Sequence, residues 1–119
     1  MKDKDIIETI ARLDGWVHLP HLRERPDLWS HPDTNRHCLT KDFKFLTSRD
    51  AIIRVIAKQP IPVQINIGVL LREIVCRDTS CYPDLVTTIM MVLATPSQLC
   101  EALLRATGHL GTAVPGAEL

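Results

Sequence analysis

The stretch ATPSQLCEALLRATG, residues 94–108, leaves the chain less freedom than any other, because it specifies a helix with both ends marked. Thr95 can cap the first turn, Pro96 falls at N1 where no donor is lost, and Gln98 completes a Thr-x-x-Gln capping box. Leu99, Leu103 and Ala106, with Cys100 and Ala102 beside them, form an apolar stripe, and Gly108 stands where a left-handed residue ends a helix. Nothing in this helix is chemical. It is a packing element that needs other elements to cover it, and the chemistry of the chain has to be sought elsewhere.

With 119 residues, 45% of them hydrophobic, one domain with an adequate core is expected, over residues 1–108. The last stretch, 109–119, carries glycines and a proline without periodicity and is expected to be a flexible tail, free or docked on a partner. Aromatic residues make up only 4%, which predicts an aliphatic core of Ile, Leu, Val and Met. Fourteen basic and fourteen acidic side chains cancel, so the chain has no overall attraction to nucleic acid or to an anionic membrane. No run approaches the roughly 18 apolar residues of a membrane span, and the start MKDKDIIETIARLDG has no apolar signal core. A cytoplasmic protein with reduced Cys38, Cys76, Cys81 and Cys100 is the expectation.

The spacing of Ile6, Ile7, Ile10 and Leu13 predicts a first helix from Asp3 to about Asp14, ended by Gly15. Thr47 and Asp50, a capping hydroxyl and an acid three residues apart, open a second helix that buries Ala51, Ile52, Val55 and Ile56. Pro60 and Pro62 break it, and a third helix follows from about Pro62 to Cys76, burying Ile67, Leu70, Leu71 and Ile74. Gly68 in its middle is either a weak point or a close helix contact. Residues 77–83 read as a turn. In residues 85–93 the β-branched content favours a strand, although Pro83-Asp84 would equally suit a helix start. Pro20, Pro26 and Pro32 exclude a long helix from the segment between the first two helices and predict an irregular loop at about residues 18–44, or a set of short strands. The alternating runs at 16–19 and 43–46 could pair across it. The fold class expected is therefore α+β and helix-rich, with three to four helices packed on a small sheet.

The words IIETIARLDGW, FLTSRDAIIRVIAKQ and LATPSQLCEALLRATG, in that order, resemble small phage- and prophage-encoded proteins related to the phage ABA sandwich domain. The resemblance covers about half the chain. It implies a short sheet covered by helices, a strand feeding the last helix, and a home in the cytoplasm of a bacterial host. It brings no catalytic residue with it. The insert between Gln59 and Pro83 is longer than the family pattern.

Two constellations lie in the proline-broken segment. His18, His21, His31, His37 and Cys38 include four of the five histidines, and nitrogen and sulfur ligands of this kind suit a tetrahedral zinc, although the spacing is not that of a finger. The competing reading is locally hydrogen-bonded histidines, with no cofactor. Arg23, Arg25, Trp29 and Arg36 combine guanidinium groups with an indole, as recognition surfaces do, and the competing reading is a solvated loop. Trp16, after the helix-ending glycine, is expected in the core. Cys76 and Cys81 lack the spacing of a redox or finger motif.

No nucleophile elbow, phosphate loop or dinucleotide fingerprint is present, and no enzyme is expected. The first expectation is a phage-encoded binding protein that occupies a host component, such as a protein of a defence system or its small signalling molecule. A second is a structural or regulatory homo-oligomer that buries Ile61, Val63, Ile65, Ile67 and Val69. A third is a zinc-stabilised nucleic-acid-binding module, against which the neutral charge counts.

Overall fold

A computed structural model describes residues 2–19, 24–80 and 92–110. Among them the chain forms four α-helices and one three-stranded antiparallel sheet, a helix-rich α+β fold. In chain order these are α1 (Asp3–Leu13), β1 (Val17–His18), β2 (Leu28–His31), β3 (Arg36–Leu39), a 3-10 turn (Thr40–Asp42), α2 (Arg49–Ala57), α3 (Ile61–Thr79) and α4 (Pro96–Ala106).

The helix ends follow local rules. Asp3 and Asp5 lie in the first turn of α1, where unpaired amides favour negative charge. α2 is capped by Ser48, one residue later than expected, its Oγ accepting from the Ala51 N–H at 3.3 Å. The capping box of α4 is complete: Thr95 Oγ1 accepts from the Gln98 N–H, and Gln98 Oε1 accepts from the Thr95 N–H. At its other end the His109 N–H reaches Leu104 O and the Gly108 N–H reaches Arg105 O, with Gly108 at φ 78°. This is a Schellman closure. α3 buries Ile67, Leu70, Leu71 and Ile74 as its spacing requires, but it continues through residues 77–79, expected to be turn, to a left-handed Ser80.

The sheet occupies the very segment whose prolines predict irregularity. Its strands are two to four residues long, too short to display a period of two, and the expected pairing of residues 16–19 with 43–46 does not form. β1 pairs with β2 (Val17 with Ser30), β2 pairs with β3 (Trp29 with Cys38), and residues 43–46 are turn and coil. Pro32 is accommodated in the turn between β2 and β3, where Asn35 adopts φ 53° and returns its N–H to His31 O.

α4 closes the core by burying Leu99, Cys100, Ala102, Leu103 and Leu104 between α1, α2 and α3. That half is aliphatic, as composition predicts. The sheet side is not: Trp29, Phe43 and Phe45 are buried with it, and Trp16 is half-buried. Trp29 is fully enclosed, stacked on His18 at 4.5 Å, with the Arg12 guanidinium 5.3 Å over its ring. Its indole N–H donates to Thr40 Oγ1 at 2.8 Å, and that hydroxyl donates to Asp27 O. Aromatic scarcity thus sets the number of rings, not where they go.

The strand expected at 85–93 lies almost wholly outside the described residues; of its last two residues, Val92 is helical and Leu93 is in a turn, both exposed. Cys81 and residues 111–119 of the expected tail also lie outside.

Two substitutions test this packing. A Cβ at Gly68 would meet nothing within 4 Å, so the residue is a weak point in α3 and not a contact. Gly68→Ala should raise the unfolding free energy in urea by about 0.5–1 kcal/mol. Thr40→Val keeps the shape but leaves the buried Trp29 N–H without an acceptor, and should lower it by about 1–3 kcal/mol. A neutral result at Thr40 would show that the indole is satisfied otherwise.

Candidate functional site

The C-terminal end of α1 organises the surface between the sheet and α2. Gly15 leaves the helix at φ 94°, and a Cβ there would stand 3.3 Å from His31 Nε2, so glycine is required for both conformation and space. Beside it, Asp14 accepts three hydrogen bonds. Its backbone carbonyl takes His31 Nε2 at 3.0 Å, Oδ2 takes the Trp16 indole N–H at 3.0 Å, and Oδ1 takes Lys58 Nζ at 2.6 Å. Because a carbonyl can only accept, the His31 proton sits on Nε2. Nδ1 is shut off from solvent and has no hydrogen-bond partner among the described residues.

Next to this junction lies an open cleft of about 680 Å³. Trp16, Phe43 and Phe45 contribute aromatic walls, Trp16 edge-on to Phe43 at 5.1 Å and Phe43 stacked on Phe45 at 5.2 Å. Arg36 from β3, Lys44 from the connector, Arg54 from α2 and Lys58 at its C-cap bring four cations, against the two carboxylates of Asp14 and Asp42. Lys58 is paired with Asp14, whereas Arg36, Lys44 and Arg54 are exposed and have no ion-pair partner among the described residues. A second cleft of about 470 Å³ lies across the sheet, but its polar groups are largely engaged. There Lys4 faces Glu8 at 4.0 Å, His18 Nε2 donates to Pro26 O, and Thr40 donates to Asp27 O.

The candidate residues read from sequence are dispersed. Of the recognition set, Arg36 lines the larger cleft, Arg25 is exposed away from it, and Arg23 lies outside the described residues. Trp29 is a correction: it is 0% exposed, held in the core by Thr40 and His18, and presents no surface.

The zinc set is not assembled either. His37 and Cys38 are neighbours on β3 and so point to opposite faces of the sheet. His18 and His31 spend Nε2 on backbone carbonyls, and His21 lies outside the described residues. Burial, and then the charge of Asp42, push the Cys38 thiol up. Among the described residues no three His, Cys, Asp or Glu side chains form a metal-holding group.

Sequence reasoning missed Lys44, Arg54, Lys58 and the two phenylalanines, each of which reads alone as ordinary surface or core. Only the order Arg54 then Lys58, four apart and thus on one helix face, offered a signal.

Cys100 is buried in α4, where its thiol donates to Phe45 O at 3.2 Å and burial pushes its pKa up to about 12. Among the described residues no helix is long and apolar enough to cross a membrane. No protein-family profile, curated protein or solved structure matches the chain.

Two measurements check this junction and this thiol. Asp14→Ala strands the Trp16 N–H and should cost about 1–3 kcal/mol in urea unfolding. Lys58→Ala removes only a half-exposed partner and should cost under about 1 kcal/mol; equal losses would contradict the hub role of Asp14. Alkylation at pH 8 followed by peptide mapping should leave Cys100 unlabelled until the protein unfolds. Since the folded thiol keeps a proton that the unfolded one releases from about 9 upward, stability should fall as pH rises from there towards 12.

Proposed function

We propose that this chain is a non-enzymatic binding protein of the kind a phage encodes to occupy a host component, and that the cleft between β3 and α2 is where it binds. The observation that supports this is the combination of aromatic walls with Arg36, Lys44 and Arg54, three cations with no ion-pair partner among the described residues. Unpaired charge held over apolar surface contributes little to folding and a great deal to recognition of an anion. The groups a catalyst would draw on support binding rather than turnover. Asp14 is committed to three hydrogen bonds, and His31 is bonded at Nε2 and closed to solvent at Nδ1. Lysate of a bacterial host passed over immobilised protein should leave a component on the wild type that the Lys44→Glu/Arg54→Glu double variant loses. Both sites are exposed, so the variant keeps its fold; equal recovery by the two proteins, or none by either, would overturn the assignment.

A homo-oligomer is the second reading, favoured by α3. Ile61, Ile65 and Val69 recur every four residues along it and are 65%, 64% and 55% exposed, while Val63 is partly covered and Ile67 is buried. No charged residue occurs in α3 before Arg72, so two copies can appose this face without like-charge repulsion. Light scattering at micromolar concentration should give a dimer mass, and Ile65→Glu should give a folded monomer. A monomeric wild type would end this reading.

A further inference from the structure

The cleft carries more than a preference for negative charge, and we infer that its ligand is a free nucleotide: a phosphate bound by Arg36, Lys44 and Arg54, with its base against Trp16 and its hydroxyl or amino donors towards Asp42. This rests on the reading of the cleft as the binding site. Three features of different chemistry line one cavity, and each asks for a different part of such a molecule.

The first feature is the cationic rim. Arg36, Lys44 and Arg54 come from three separate elements, so only the tertiary fold brings them to one cleft. Guanidinium forks and an ammonium group are the donors that phosphate oxygens take up in short, charge-assisted bonds.

The second is the ring of Trp16. It is half-buried, and the hydrogen bond from its indole N–H to Asp14 fixes its orientation before any ligand arrives. An indole held in place at the wall of a cleft is a ring on which a base can stack, and stacking is tolerant of base identity.

The third is Asp42. Its carboxylate has no ion-pair partner among the described residues, yet it shares the cleft with the cations. A bare inorganic anion would leave that carboxylate without a donor. A ligand that presents hydroxyl or amino donors a few ångströms from its phosphate satisfies both signs of charge. The volume of about 680 Å³ lies within the roughly 300–1,000 Å³ of small-molecule sites. A nucleic-acid strand is not favoured, because the formal charge of the chain is zero and a strand needs cations well beyond one cleft.

Isothermal titration with adenosine monophosphate, guanosine monophosphate, adenosine, inorganic phosphate and a ten-residue oligothymidylate tests the ligand class, with Trp16 fluorescence recorded in parallel. The nucleotides should bind and quench. Adenosine and phosphate should each bind at least about tenfold more weakly, and Lys44→Ala/Arg54→Ala should lose about tenfold or more, the scale of hydrogen bonds to a charged group. Trp16→Phe should remove the quench while circular dichroism shows the fold intact, which separates the cleft ring from buried Trp29. The inference is overturned if neither nucleotide binds at millimolar concentration, if phosphate or the oligonucleotide binds as tightly, or if the double variant binds unchanged. Capture from lysate that still depends on Lys44 and Arg54, with no nucleotide bound, would overturn the ligand class alone. Loss of both would overturn the cleft as a binding site.

Discussion

Three acceptors on one residue hold this structure together where its parts meet. Asp14 ends α1, and from that point its carbonyl fixes β2 through His31, one carboxylate oxygen fixes the chain entering β1 through Trp16, and the other fixes α2 through Lys58. These bonds supply direction, where apolar contact fixes distance better than orientation. The turn that makes this possible passes close to His31 at a positive φ, where any residue but Gly15 would be strained. The cleft is the space that these three directions leave open.

How far the fold can be read from the sequence depends on where the information lies. α4 and α2 announce themselves because their caps are local: a hydroxyl and its partner amide are three residues apart in the chain. α3 is legible from the spacing of Ile67, Leu70, Leu71 and Ile74. The small sheet is legible only as an alternative to a loop and its pairing is not, since strands of two and four residues leave no period to detect, and Pro32 sits in a turn that it serves rather than breaks. The clue was the Pro-Asp-Thr-Asn run itself, ending in the residue type that tolerates a left-handed backbone. Trp29 misleads for a related reason. Its neighbours in sequence are polar, but on β2 its own side chain points inward, and Thr40, eleven residues on, supplies the acceptor that burial demands.

The candidate site was legible in one residue, Arg36. Its companions are spread over the connector and α2, and a single lysine or arginine on a helix face carries no mark that distinguishes solvation from recognition. What singles out Lys44 and Arg54 is that neither has an ion-pair partner among the described residues while both line one cleft. The aromatic rings among the described residues are just as uneven: Trp16, Trp29, Phe43 and Phe45 gather on the sheet side. One half of the domain is cushioned by flexible side chains, and the other presents flat faces.

The position of α4 in the chain has a consequence for how the protein comes into being. It touches α1, α2 and α3, yet it follows all of them in sequence. A nascent chain that has not yet released residues 96–106 from the ribosome therefore has no lid for the apolar faces already synthesised, and its helices can only associate loosely. Closure waits for this helix, which at eleven residues is marginal alone and gains its stability by docking on the faces it covers.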